Sequence, residues 1–312
     1  VTSLLRSSAR VEVGPGDDAA VVAAPDGRVV VTTDTLVEGV HFRRDWSSAY
    51  DVGRKAAAQN LADVVAMGAR PTALVVAFAA PGDLPLAWAE DLMRGLVDEA
   101  AVVAADVVGG DVVRAPQIVV SVTALGDLDG RPPVLRSGAR SGDVLVLAGR
   151  PGRSAAGLAV LRTGDTALAT RYADVVRLHR APAPPYETAL ALARLGATAM
   201  IDTSDGLSSE LHHLAEASGV ALRVDADDGD DALVAFVDEP LRQLAERLGA
   251  DPVAWLLHGG EDHAFLATVP ADLAAAAGGL ALPLGRVVAG SGVTYRGAPL
   301  PPRGWDHFRG ET

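Results

Sequence analysis

The sequence predicts an α/β (α+β) chain in two parts, and three observations carry that prediction. Apolar runs of strand length alternate with stretches whose apolar residues recur at helical spacing. A Gly-, Pro- and Arg-rich stretch, GDLDGRPPVLRSGARSGD (126–143), interrupts the alternation before the middle of the chain. Aspartates gather at the ends of the apolar runs: GDDAAVV (Asp17, Asp18), VVVTTDTL (Asp34), NLADVVAMGA (Asp63), VVGGD (Asp111) and AMIDTSDG (Asp202, Asp205).

Taken in order, residues 28–33 read as a buried strand closed by TDT. Residues 49–67 read as a helix stopped by Gly68. A strand over 72–80, a helix over 86–105 and a strand over 117–126 complete the first part. The 126–143 stretch is the best linker, which gives domains of 1–130 and 131–312. Beyond it come a strand (143–148), a Gly/Pro turn, a helix (154–163) and the Pro-rich bridge RAPAPPYE (180–187). A helix (187–195), a strand (198–202), a helix (206–217) and a last strand-and-helix set ending near 297 follow. The acidic run DADDGDDA (225–232) reads as a solvated loop.

Composition narrows the function. The chain is 49% hydrophobic but only 4% aromatic, so its core must be built from Ala, Val and Leu. There is no cysteine, which excludes disulfides, zinc–thiolate sites, iron–sulfur clusters and cysteine nucleophiles. A formal charge of −13 with no basic run argues against nucleic acid as a partner. No apolar stretch reaches transmembrane length and no signal peptide is visible, so a cytoplasmic protein without membrane attachment is expected.

Several carboxylates converging on one cleft would repel one another unless cations lay between them. Hard divalent cations take oxygen ligands and bridge carboxylates to phosphates, so a site for several magnesium ions is the economical reading. Each motif has a plainer alternative. GDDAA is an acidic turn, TTDT (32–35) a helix cap or Asx-turn, and GGD (109–111) a tight Gly-Gly turn. IDTSDGLSSE (201–210) is more specific, because Asp202, Ser204 and Asp205 precede a helix whose N–H groups favour anions. GGED (259–262) repeats the pattern of glycines before carboxylates. His41, His212 and His213 are candidate ligands or bases, although a helix-borne His pair is more often surface or packing. No Walker A, protein-kinase or G-x-S-x-G signature is present. On these residues alone, a non-enzymatic acidic metal- or nucleotide-binding protein remains an alternative.

The motifs GPGDDAAVV, TTDTLVEGVHF, KAAAQNLADVVAMGARP, GGD, LRSGARSGD, GRPGRSAAGLAVL, IDTSDGLSSEL, LHGGEDHAF and GWDHF together resemble the thiamine-monophosphate kinase family. That family lies in the superfamily of aminoimidazole ribonucleotide synthetase and selenophosphate synthetase. The resemblance implies an N-terminal domain whose sheet forms a barrel across a homodimer, and a C-terminal α/β domain. It implies transfer of a phosphoryl group from ATP to thiamine monophosphate, giving thiamine diphosphate and ADP. By motif, Asp18, Thr32, Thr33, Asp34, Asp63, Asp111, Asp202 and Asp205 match the magnesium ligands. Gly110, Asp111, Arg136 and Ser204 match ATP-contacting positions, and His41, Glu261 and Trp305 match positions that hold thiamine phosphate. His263 stands where the family pattern leads one to expect a tyrosine. The lack of cysteine separates the chain from selenophosphate synthetase, and TDTLVEGVHF separates it from aminoimidazole ribonucleotide synthetase. No residue is needed as a general base, because the acceptor is a phosphate oxygen that is already anionic at neutral pH.

Overall fold

The computed structural model describes residues 8–13, 19–225, 232–306 and 310–311. It divides into two compact units: residues up to Val65 with Ala69–Pro133, and Ala66–Gly68 with Val134 onwards.

In the first unit a short hairpin, β1 (Val11–Val13) and β2 (Val21–Val22), precedes β3 (Val30–Val37). Then come α1 (Ala49–Ala66), β4 (Arg70–Ala80), α2 (Leu86–Val102), β5 (Asp106–Arg114) and β6 (Val119–Asp127). Strands β3–β6 form an open four-stranded sheet in the order β3-β6-β4-β5. β5 runs parallel to β4 through the α2 crossover, while β6 is antiparallel to both β3 and β4. Among the described residues no barrel closes; β3 and β5 are the edge strands of this sheet.

Alternation along the strands sorts the side chains by face. Leu36, Leu74, Val76, Phe78, Val120, Val122 and Ala124 are buried on one face. α1 and α2 lie against that face and touch each other backbone to backbone. A Cβ at Gly53 would meet the Leu92 carbonyl at 2.0 Å, and one at Gly95 would meet the Tyr50 carbonyl at 2.1 Å. The opposite face carries Val31, Thr33, Thr35, Val75, Ser121 and Thr123, and Val31 is 61% exposed.

Two readings of the sequence change here. The first strand runs to Val37, so TTDT lies inside a strand and does not close one. Its polar residues made the run look finished, but pairing with β6 extends from Val30↔Gly126 to Val37↔Val119. GGD is no turn either: residues 106–114 form a continuous strand in the stretch between the helix read to 105 and the strand read from 117. Gly110 answers to close packing, since a Cβ there would sit 2.0 Å from the Val76 carbonyl, whereas a Cβ at Gly109 would meet nothing within 4 Å.

The second unit begins with β7 (Val144–Ala148), α3 (Arg153–Arg162), α4 (Thr166–Arg171), α5 (Ala173–Arg180) and α6 (Tyr186–Leu195). It continues through β8 (Ala199–Asp202), α7 (Leu207–Ser218), β9 (Ala221–Val224), α8 (Glu239–Leu248), α9 (Pro252–His258) and β10 (Phe265–Val269). α10 (Ala274–Gly278), β11 (Leu282–Val288), β12 (Gly292–Tyr295), β13 (Ala298–Pro299), β14 (Trp305–Asp306) and β15 (Gly310–Glu311) complete it. Seven strands form one mixed sheet in the order β13-β12-β9-β11-β7-β10-β8. The core is aliphatic as the composition requires; Leu145, Leu147, Ile201, Leu211, Leu214, Leu222 and Leu266 are all at or below 1% exposure. Most of DADDGDDA lies outside the described residues.

Candidate active site

In the first unit the motif residues of β3 and α1 meet. Thr32 and Asp34 occupy alternate positions of β3, on the face that α1 covers. The Thr32 hydroxyl donates to Asp63 Oδ2 at 2.7 Å, and the Asp34 N–H donates to Asn60 Oδ1 at 2.8 Å. Asn60 is wholly buried, and its amide is oriented by donation to the Ala56 carbonyl one turn earlier (2.9 Å).

His41 sits in the turn that follows β3. Its Nδ1 accepts the Val37 N–H at 3.0 Å, so the neutral ring carries its proton on Nε2, where it can donate to an anion. Lys55, only 2% exposed, donates from Nζ to the His41 carbonyl at 3.1 Å and ties α1 to that turn.

Other first-unit residues do not join this group. Thr33 points to the opposite face, its hydroxyl donating to the Val122 carbonyl at 3.0 Å. Asp111 lies opposite Ala77 on exposed β5 and accepts the neighbouring Val112 N–H at 2.9 Å. Gly110 precedes it in the same edge strand. Asp18 lies outside the described residues. Among the described residues, no three His, Asp or Glu side chains gather into a metal-binding cluster.

In the second unit two loops run side by side: 203–206 between β8 and α7, and 259–264 between α9 and β10. Thr203 N–H donates to the Ala264 carbonyl (2.8 Å), His263 N–H to the Thr203 carbonyl (3.1 Å) and Glu261 N–H to the Ser204 carbonyl (2.7 Å). Glycine makes the approach possible, since a Cβ at Gly260 would lie 2.5 Å from the Ser204 carbonyl. Glu261 (φ +65°) and His263 (φ +49°) both occupy the left-handed region. For non-glycine residues that costs about 1–3 kcal/mol each, and it persists where the surroundings fix the backbone.

Asp202, Asp262 and Glu261, at or beside these loops, have defined partners. Asp202, 3% exposed, lies 3.0 Å from His263 Nδ1. Asp262 accepts N–H groups from Gly152 (2.6 Å) and Ser154 (2.7 Å), and so caps α3 from a distant part of the chain. Enclosure pushes its carboxyl up to about 7, against the downward pull of those two donors. Glu261 Oε2 lies 3.6 Å from Nδ1 of buried His179, which contacts Ser154 Oγ at 3.0 Å.

Glu210, 2% exposed, reaches back to the Asp205 N–H (3.3 Å) and the Ser204 hydroxyl (3.5 Å). Burial raises its pKa. His213 lies 2.9 Å from its other oxygen, and that hydrogen bond raises the imidazole pKa. Arg136, exposed on the turn Arg136–Gly138, is close enough to oppose the charging of His213. His212 contacts the Leu300 carbonyl at 2.7 Å, a packing role.

The C-terminal segment crosses the same loop. Arg303 exchanges hydrogen bonds with Ser208 Oγ at 2.6 and 3.2 Å, and a Cβ at Gly304 would meet the Asp205 carbonyl at 2.3 Å. The backbone of Trp305 therefore starts beside the IDTSDG loop.

Comparison with known proteins agrees with this pattern. Residues 16–128 match the family model of the AIR synthase related protein, N-terminal domain, and residues 140–296 match that of the C-terminal domain. The thiamine-monophosphate kinase of Mycobacterium tuberculosis (strain ATCC 25618 / H37Rv) is 53% identical over 262 residues, covering 84% of this chain and 76% of its own. The chain belongs to the thiamine-monophosphate kinase family. The Escherichia coli K12 member is 36% identical, over 96% of this chain and 92% of its own. Among solved structures, AaThiL complexed with AMPPCP and TMP is 31% identical with a TM-score of 0.82, covering 94% of this chain and 91% of that one. Membership makes this chain an enzyme of the thiamine-phosphate kinase type.

Sequence reasoning gave no role to Asn60, Lys55, His179 and Glu210, and noticed Asp262 only as part of GGED. Only Glu210 left a local trace, as an acid in the first turn of α7 after glycine. Lys55, Asn60 and His179 meet partners 14, 26 and 25 positions away and leave no short-range pattern.

Proposed function

We propose that this chain transfers the γ-phosphoryl group of ATP to the phosphate of thiamine monophosphate, giving thiamine diphosphate and ADP. The observation that carries the reading is the 31%-identical structure that holds an ATP analogue and TMP on the same two-part fold, together with the 53%-identical kinase. The geometry is compatible with that chemistry. Among the described residues the clustered motif groups are oxygen donors and imidazoles, and Ser154 and Glu261 both approach the same nitrogen, Nδ1, of His179, which is not the arrangement of a serine–histidine–carboxylate relay. An in-line transfer to an anionic phosphate oxygen needs positioning and charge neutralisation, not a base.

The proposed magnesium ligands are Asp18, Thr32, Thr33, Asp34, Asp63, Asp111, Asp202 and Asp205. Their donor set is all oxygen, which suits magnesium. That ion commonly uses one or two carboxylates, with phosphate and water oxygens completing its shell, so it needs no preformed cage of three acidic groups. When bound, it would offset the negative charge between donor and acceptor phosphates. The remaining residues position the substrates. His41 is assigned to the acceptor phosphate. Gly110, Asp111, Arg136 and Ser204 are assigned to ATP. Glu261 supplies negative charge suited to a thiazolium cation, and Trp305 supplies a flat face.

A direct test is product analysis with ATP, magnesium and thiamine monophosphate. Equimolar thiamine diphosphate and ADP are expected, with no turnover after chelation. ATP hydrolysis without thiamine diphosphate would overturn the reading. Trp305→Ala should raise the KM for thiamine monophosphate about tenfold while leaving that for ATP unchanged, the loss of one cation–π contact. An unchanged KM in a folded variant would assign Trp305 to packing.

The proposal includes a homodimer built on the first unit and a cytoplasmic location. Val31, Val75 and Val113 are 61%, 40% and 51% exposed on the sheet face away from the helices. Such a face is more readily covered by a symmetric copy than left in water. No described helix is long and apolar enough to cross a membrane. Light scattering at micromolar concentration should give twice the chain mass; a fully active monomer would refute the dimer.

A further inference from the structure

Asp202 and His263 lie 61 positions apart and form a pair sealed inside the second unit, with side chains 4% and 6% exposed. Asp202 ends β8, paired with Phe265 of β10, and His263 lies two residues before that partner. An ionised carboxylate can only accept, so His263 Nδ1 carries the proton and donates to Asp202 Oδ2. This fixes the carboxylate plane and commits Oδ2. His263 holds its place with φ at +49° and its own N–H on the Thr203 carbonyl (3.1 Å). The side chain thus meets this buried acid from a costly backbone conformation, an arrangement that hydrophobic packing alone would not require.

We infer that His263 is a positioning residue for Asp202, holding Oδ2 so that Oδ1 is presented to the divalent cation that accompanies the nucleotide. The inference rests on the proposed role of Asp202 as a magnesium ligand. It adds a residue in direct contact with that ligand. Loss of such an outer partner typically costs 10- to 100-fold in metal affinity.

The test uses full-length protein with AMPPCP and Mn2+ as a paramagnetic probe, binding being followed by electron paramagnetic resonance. Thermal melting is recorded in parallel. H263N keeps a short N–H donor near the Nδ1 position, and asparagine tolerates positive φ. H263Q carries its N–H one bond further out, and H263L has none. Weakening of Mn2+ binding by about 10- to 100-fold in H263L and H263Q, with most of the affinity kept in H263N, is the expected result. Should H263L fail to fold, the comparison of H263N with H263Q carries the test. Wild-type Mn2+ affinity in H263Q while Asp202→Asn loses it would reduce His263 to packing. Wild-type affinity in Asp202→Asn itself would remove the ligand role of Asp202, a separate failure.

Discussion

Asp63→Asn should remove most of the activity, about 100-fold or more in kcat, while the protein melts within a few degrees of wild type. The two expectations separate because the substitution is nearly isosteric. Asp63 Oδ2 accepts the Thr32 hydroxyl at 2.7 Å, and an asparagine carbonyl can accept that same hydrogen bond. The contact between α1 and β3 therefore survives. What disappears is one negative charge beside Thr32 and Asp34, at the point where the proposed magnesium-bound phosphates would sit. Kinetics at saturating ATP, together with a melting curve, checks both halves. Near-wild-type turnover would make Asp63 a structural partner of Thr32 and nothing more.

Asp262→Ala is expected to have the largest effect on stability, about 2–5 kcal/mol, because the buried N–H groups of Gly152 and Ser154 would lose their acceptor. The damage should spread beyond α3. Asp262 is flanked by Glu261 and His263, both held at positive φ, and anchoring the loop offsets that strain. Asp262→Asn keeps one acceptor oxygen and should lose less. Denaturant unfolding of the two variants measures the difference. A loss below 1 kcal/mol in Asp262→Ala would show that water replaces the carboxylate without cost.

Much of this architecture was legible from periodicity alone. The long α1 and α2 patterns, the stop at Gly68 and the strands around 72–80, 117–126 and 143–148 all follow from apolar spacing and glycine. Errors fell where polar residues or glycines enter a strand for reasons outside the local sequence. Thr32 and Asp34 are tolerated inside β3 because α1 brings Asn60 and Asp63 to them. Gly110 sits in β5 because the backbone of β4 comes too close for a side chain. The candidate site divides the same way. Its acids and glycines were visible as motifs, and the resemblance gave them roles. The groups that hold them were invisible, because a buried imidazole 61 residues from its aspartate leaves no pattern at any helical or strand period.

The central claim is that the acceptor is a phosphate oxygen, which arrives charged and needs no base. Initial rates with thiamine monophosphate and with free thiamine, at equal ATP and magnesium, test this most directly. The account predicts thiamine diphosphate from the first and no detectable phosphorylation of the second. Equal rates with free thiamine would contradict it, since a hydroxyl acceptor needs a proton-abstracting group that this reading does not supply.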